Sequence, residues 1–208
     1  MSRPIAWFAA LPTSDLVFCG LLMFGTHLAL MLINQVALFR QLYPSVPVAL
    51  RPGVSWGMYG AAVVNVLMEV LVFLAGWVWL AGSSVLLAGR DVARPLFGWL
   101  GLAYAPVIVY SLVMSVVLLM SDGSAFAGLA AASTPRELVD ATRVAMARGP
   151  VSIMGDVRWA AYAVTASLAV EAMHRVSAVP RIRAVGAVGT FILLLITVGH
   201  LVGDVGGS

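Results

Sequence analysis

Lysine is missing from this 208-residue chain, and all twelve basic residues are arginine. Charge of either sign is scarce: charged residues make up 10% of the total, against about 25% in typical soluble domains. Cysteine occurs once, at Cys19, so an intramolecular disulfide is impossible and the side chain reads as a small buried apolar group. There is no Walker loop, no nucleophile elbow and no Cys/His metal spacing. The net charge is only +3, and the arginines sit at the ends of apolar stretches rather than in a patch. Nucleic-acid binding therefore has no support. Anionic lipid headgroups are the natural partners of such residues. An arginine-only basic set fits a GC-rich genome, and the expectation is a bacterial inner (cell) membrane protein.

What the chain has in excess is apolar sequence, at 62% of residues. Five stretches, at about 16–39, 54–80, 96–120, 159–176 and 184–202, are each near the roughly 20 residues that a membrane helix needs. Lipid requires every backbone polar group to be satisfied within the segment, so helices are the default. The expected fold is all-α: a polytopic bundle of about five transmembrane helices in one membrane domain, residues 1–208. The N-terminal apolar run is too long for the core of an ordinary signal peptide and ends in Asn34, Gln35 and Arg40 without a small-residue cleavage site. It reads as a retained first helix.

Local signals place the joints. Thr13–Ser14–Asp15 offers an N-cap for the first span. A linker with three prolines, Pro44, Pro47 and Pro52, precedes the second. The apolar pattern from Val54 to Ala88 exceeds one straight crossing. It predicts either a tilted helix or a turn after Gly82–Ser83–Ser84. Pro95 suits a helix start, and Pro106 predicts a kink that frees the carbonyl near Leu102. Residues 122–156 form the one sizeable extramembrane segment. Within it Thr134–Pro135–Arg136–Glu137 reads as a capping box. Leu138, Ala141, Thr142 and Ala145 then share one face of a short amphipathic helix, lying on the membrane or packed on the bundle, that Gly149–Pro150 ends. Small residues at Gly57, Gly60–Ala61, Gly98, Gly101 and Gly186–x–x–Gly189 predict close helix approach. Arginines divide six to six between the two sides. The long 122–156 loop weakens the charge bias on its side, which favours a cytoplasmic N-terminus.

Ionisable groups inside spans are costly and so are candidates for function. Glu69 lies mid-span with Asn65 one turn earlier. Together they read as a proton-exchanging site or as interhelical glue. Glu171–x–x–His174 has the spacing of a di-iron half-site. Only one copy exists, and Arg175 beside it suggests a helix end at headgroup level, so no metal is expected. His27 and His200 fall within roughly 5 Å in depth at 1.5 Å per residue, which keeps b-type haem ligation or quinone binding by that pair open. His200 and Asp204 share a face and read as a helix-end pair.

The stretch Leu86–Leu87–Ala88–Gly89–Arg90, a short polar turn and then Leu102–Ala103–Tyr104–Ala105–Pro106 resembles the Yip family of multi-span membrane proteins. The resemblance covers about residues 55–203. It implies a small non-catalytic bundle that associates with other integral membrane proteins or organises the bilayer. The Asp-Leu-Tyr-Gly-Pro motif of eukaryotic members is absent, so their link to Rab GTPases is not carried over. The leading expectation is accordingly an accessory or scaffold subunit. The alternatives are a transport or proton-path component using Glu69, Asn65 and His27, or a redox subunit using His27 and His200.

Overall fold

The computed structural model describes residues 11–121, 123–147 and 150–206, with side-chain surroundings left out at 150, 151, 153–155 and 199–206. Among the described residues the chain forms seven α-helices and no strand. They are α1 (Thr13–Leu42), α2 (Arg51–Ala88), α3 (Ala93–Ala103), α4 (Ala105–Met120), α5 (Pro135–Met146), α6 (Pro150–Ser177) and α7 (Arg181–Gly206). Short 3₁₀ turns join α1 to α2, and a longer one, Ser124–Ala131, precedes α5. The fold is all-α, as the apolar pattern requires.

Four segments are long and apolar enough to cross a membrane: Thr13–Ser45, Val48–Ala88, Ala93–Met120 and Arg181–Val198. The protein is an integral membrane protein on that basis. The expected crossing at 159–176 lies in α6 and is not among the four. That helix is rich in alanine and carries Asp156, Arg158, Glu171, His174 and Arg175.

The helix ends follow local chemistry. No turn interrupts α2 after Gly82–Ser83–Ser84. The Ser84 hydroxyl donates to the Leu80 carbonyl at 2.8 Å, so this polar group is satisfied within the helix. At about 1.5 Å per residue the 38 residues of α2 extend about 57 Å, well beyond a hydrocarbon core of roughly 30 Å. Gly89, at φ 63°, ends the helix in the left-handed conformation that glycine adopts without penalty. Pro106 does interrupt its span. The break falls at Tyr104, whose N–H donates to Gly101 at 3.2 Å in a tighter turn.

The chain divides into two compact units, one of residues 1–24, 71–104 and 164–208, the other of residues 25–70 and 105–163. In the first unit α1 and α3 meet backbone to backbone. A Cβ on Gly20 would stand 2.5 Å from the Gly98 carbonyl oxygen, and one on Gly98 would stand 2.6 Å from that of Leu16. A Cβ on Gly101 would overlap the Gly20 carbonyl. Aromatic rings fill the adjoining space: Phe24 stacks on Phe73 at 4.2 Å, and Phe97 meets Phe73 and Trp77 edge-on. Gly57, Gly60, Gly186 and Gly189 have open space where a Cβ would stand, so close approach within this chain uses only part of the predicted small-residue set.

In the second unit Leu42, Val46, Phe126, Leu129, Ala132, Leu138 and Ala145 form a buried apolar cluster. The predicted α5 is present and packs its Leu138–Ala145 face into that cluster. Its start is the anticipated cap with one addition: Thr134 Oγ1 accepts from the Glu137 N–H at 3.3 Å, and Glu137 accepts from the Ser133 N–H and hydroxyl, both at 2.8 Å. Of the predicted stop at Gly149–Pro150, Gly149 lies outside the described residues; α5 ends at Met146 and Pro150 begins α6.

Candidate functional site

The second unit holds a polar cluster built from three helices. Glu69, from α2, accepts a hydrogen bond from the Tyr162 hydroxyl of α6 at 2.9 Å. Its other carboxylate oxygen lies 3.7 Å from His27 Nε2 of α1, an ion-pair separation rather than a tight hydrogen bond. The His27 side chain is 3% exposed and that of Glu69 is 19% exposed. Arg158, one turn before Tyr162, acts electrostatically on Glu69, Tyr162 and Tyr110.

Position along the helices gives the cluster its meaning. His27 falls at the middle of α1, Glu69 at the middle of α2 and Tyr162 at the middle of α6. Three titratable groups thus converge near the middles of three long helices, two of them, α1 and α2, apolar enough to cross a membrane. A carboxylate there is costly unless it is paired and hydrogen-bonded, and both conditions are met. One proton shared between His27 and Glu69 leaves the pair neutral, whether as imidazolium and carboxylate or as imidazole and carboxylic acid.

The same face of α1 continues the pattern. Polar residues recur every seven positions at His27, Asn34 and Gln41, each meeting another helix or its end. Asn34 Nδ2 donates to the Ser111 carbonyl at 3.0 Å, and the Ser115 hydroxyl donates to Asn34 Oδ1 at 2.7 Å. Gln41 Nε2 donates to the Leu118 carbonyl and to that of Ser121. Such bonds tie α1 to α4 and its C-terminal end.

No protein-family model matches the chain, and neither curated proteins nor solved structures give a match.

The other predicted residues are placed as follows. Asn65 shares α2 with Glu69 but is exposed and makes no hydrogen bond among the described residues. Glu171 and His174 have separate partners. Glu171 binds Arg175 at 2.6 Å and Arg181 at 3.1 Å, while His174 Nδ1 donates to the Val179 carbonyl at 2.7 Å. This is the helix-end arrangement that Arg175 suggested, and it closes the α6–α7 hairpin. No group of three His, Cys, Asp or Glu side chains able to hold a metal ion is found among the described residues. The side chains of His200 and Asp204 lie outside the described set, so the His27–His200 pair is not placed.

Sequence reasoning joined His27 to Glu69 but missed Tyr162, Asn34, Gln41 and Gly20. Signals for them existed. A tyrosine in an alanine-rich helix carries a hydroxyl that, once buried, calls for a partner. The seven-residue recurrence along α1 marks a single face.

Proposed function

We propose that this protein is a transport or proton-path component in which His27, Glu69 and Tyr162 exchange a proton at mid-depth. One observation carries the reading: three titratable side chains from the centres of three helices meet at one point. Ionisable groups at such depth cluster along proton and ion paths, and transporter sites sit near the bilayer midplane. Proton bookkeeping supports a single-proton cycle. With one proton, the His27–Glu69 pair is neutral. Losing it leaves one negative charge, which the Tyr162 hydroxyl and the Arg158 guanidinium stabilise. A second proton would leave an uncompensated positive charge on the buried His27 side, which is unfavourable. The pair therefore alternates between neutral and singly negative.

The test is proton flux in proteoliposomes. Glu69→Gln keeps the shape and the acceptor for Tyr162 but removes the titrating carboxyl. Loss of flux with retained helicity supports the proposal; unchanged flux would assign the cluster to helix packing alone.

A second reading, an accessory subunit that associates with other membrane proteins, draws on Asn65 and on the Yip resemblance. An amide exposed on α2 one turn from its midpoint gains most from a partner helix. Stoichiometric co-purification lost on Asn65→Leu would favour it. A Soret band retained by the purified chain and lost on His27→Ala would favour the redox alternative instead.

A further inference from the structure

The C-terminal end of α2 and the N-terminal end of α7, both within the first unit, border a shallow open groove of about 320 Å³ lined by Ser83, Leu86, Leu87, Arg183, Gly186, Ala187 and Thr190. That is at the small end of the roughly 300–1,000 Å³ of ligand sites. Its walls are mostly apolar, and Trp79 fixes them in place: the indole N–H donates to the Ala187 carbonyl at 2.9 Å. Gly186 leaves the floor open, because a Cβ there would meet nothing within 4 Å. The Thr190 hydroxyl is turned back to the Gly186 carbonyl at 2.8 Å. From Arg183 to Thr190 the groove runs two turns along α7, about 10 Å at 1.5 Å per residue.

Charge is confined to one end. Arg175 and Arg181 are both engaged by Glu171. Arg183 is exposed and makes no ion pair among the described residues. Arg90, three residues beyond Leu87, adds a second cation to the turn that follows this end of α2. The groove thus offers a guanidinium where α7 begins, at the start of its apolar span, and an apolar slot running inward from it. A soluble anion would use the cation and leave the slot unfilled. A zwitterionic lipid would fill the slot and offer the arginine no net charge.

We infer that this groove is a binding site for one anionic phospholipid, with its phosphate on Arg183 and an acyl chain laid along Leu86, Leu87, Gly186 and Ala187. Arginine snorkelling to the interface gives the contact its reach, and its planar fork suits phosphate.

The inference is tested with the full chain, delipidated in detergent and titrated with phosphatidylglycerol or phosphatidylcholine while bound lipid is counted by native mass spectrometry. Phosphatidylglycerol is retained in preference. Arg183→Gln weakens its binding about fivefold, the factor that roughly 1 kcal/mol per basic residue at an anionic surface represents. Arg136→Gln, an equal change of charge on α5, leaves binding unchanged. Gly186→Leu fills the slot and weakens retention of both lipids, which keeps the inference testable if Arg183→Gln fails to fold. Equal retention of the two lipids overturns the inference. So does a Gly186→Leu variant that binds as the unaltered chain does, or displacement of phosphatidylglycerol by inorganic phosphate.

Discussion

Replacing Gly98 with alanine adds one methyl group at the point where α1 and α3 touch. The new Cβ would stand 2.6 Å from the Leu16 carbonyl oxygen, 2.7 Å from its carbonyl carbon and 2.8 Å from its Cγ. The two nearest atoms are backbone, so no rotamer change relieves the contact and the helices must separate. Overpacking of this kind costs about 1–3 kcal/mol, toward the upper end where backbone has to move. Alanine recovers about 1 kcal/mol through its better helix propensity. The net loss is about 2 kcal/mol. For a chain of this size, with about 2–4 °C per kcal/mol as in soluble domains, the midpoint falls by about 4–8 °C. The assay is thermal unfolding in detergent, followed by circular dichroism. Gly57→Ala is the matched control, because a Cβ there meets nothing within 4 Å; its propensity gain is unopposed and the midpoint holds or rises. If Gly98→Ala unfolds no earlier than Gly57→Ala, the backbone contact between α1 and α3 is not a feature of the folded protein.

Two further outcomes concern the second unit. Tyr162→Phe removes the hydroxyl that donates to Glu69, so the pH profile of flux moves while helicity is retained; an unmoved profile contradicts the proton assignment. Outside the membrane spans, the Ser133 N–H and hydroxyl hold the Glu137 carboxyl below its ordinary value of 4.5. The folded state thus prefers the carboxylate, and its contribution is present above pH 4.5 and lost as pH falls through the depressed value. The protection of first-turn α5 amides, measured against their intrinsic exchange rates, falls over that acid range, and Glu137→Gln abolishes that fall.

Features governed by local sequence were the ones that could be read in advance. The Thr134 cap, the break at Pro106 and the apolar helices themselves depend on residues within a few positions of one another. For the over-long α2 pattern two alternatives stood, a tilted helix or a turn after Gly82–Ser83–Ser84, and no turn forms. Gly82–Ser83–Ser84 looks like a loop signal, but the Ser84 hydroxyl bonds its own helix and costs the helix little. The close contact of Gly98 and Gly101 was foreseen, whereas its other half, Gly20, lies about eighty positions away. The site divides the same way. His27 and Glu69 stood out because charge is rare in apolar helices. Tyr162 contacts Glu69 across 93 positions, and one sequence carries no record of which helices are neighbours. Seven-residue spacing marked the face of α1 that holds Asn34 and Gln41, without saying what that face would meet.

Proton flux through proteoliposomes bears most directly on the assignment of the His27–Glu69–Tyr162 cluster. The unaltered chain, Glu69→Gln and His27→Gln are reconstituted at equal density, with an interior pH dye and an imposed pH step. Flux in the unaltered chain, abolished by Glu69→Gln and reduced by His27→Gln while helicity and elution stay the same, is the predicted result. Equal flux in all three would contradict the account and leave the cluster a packing device.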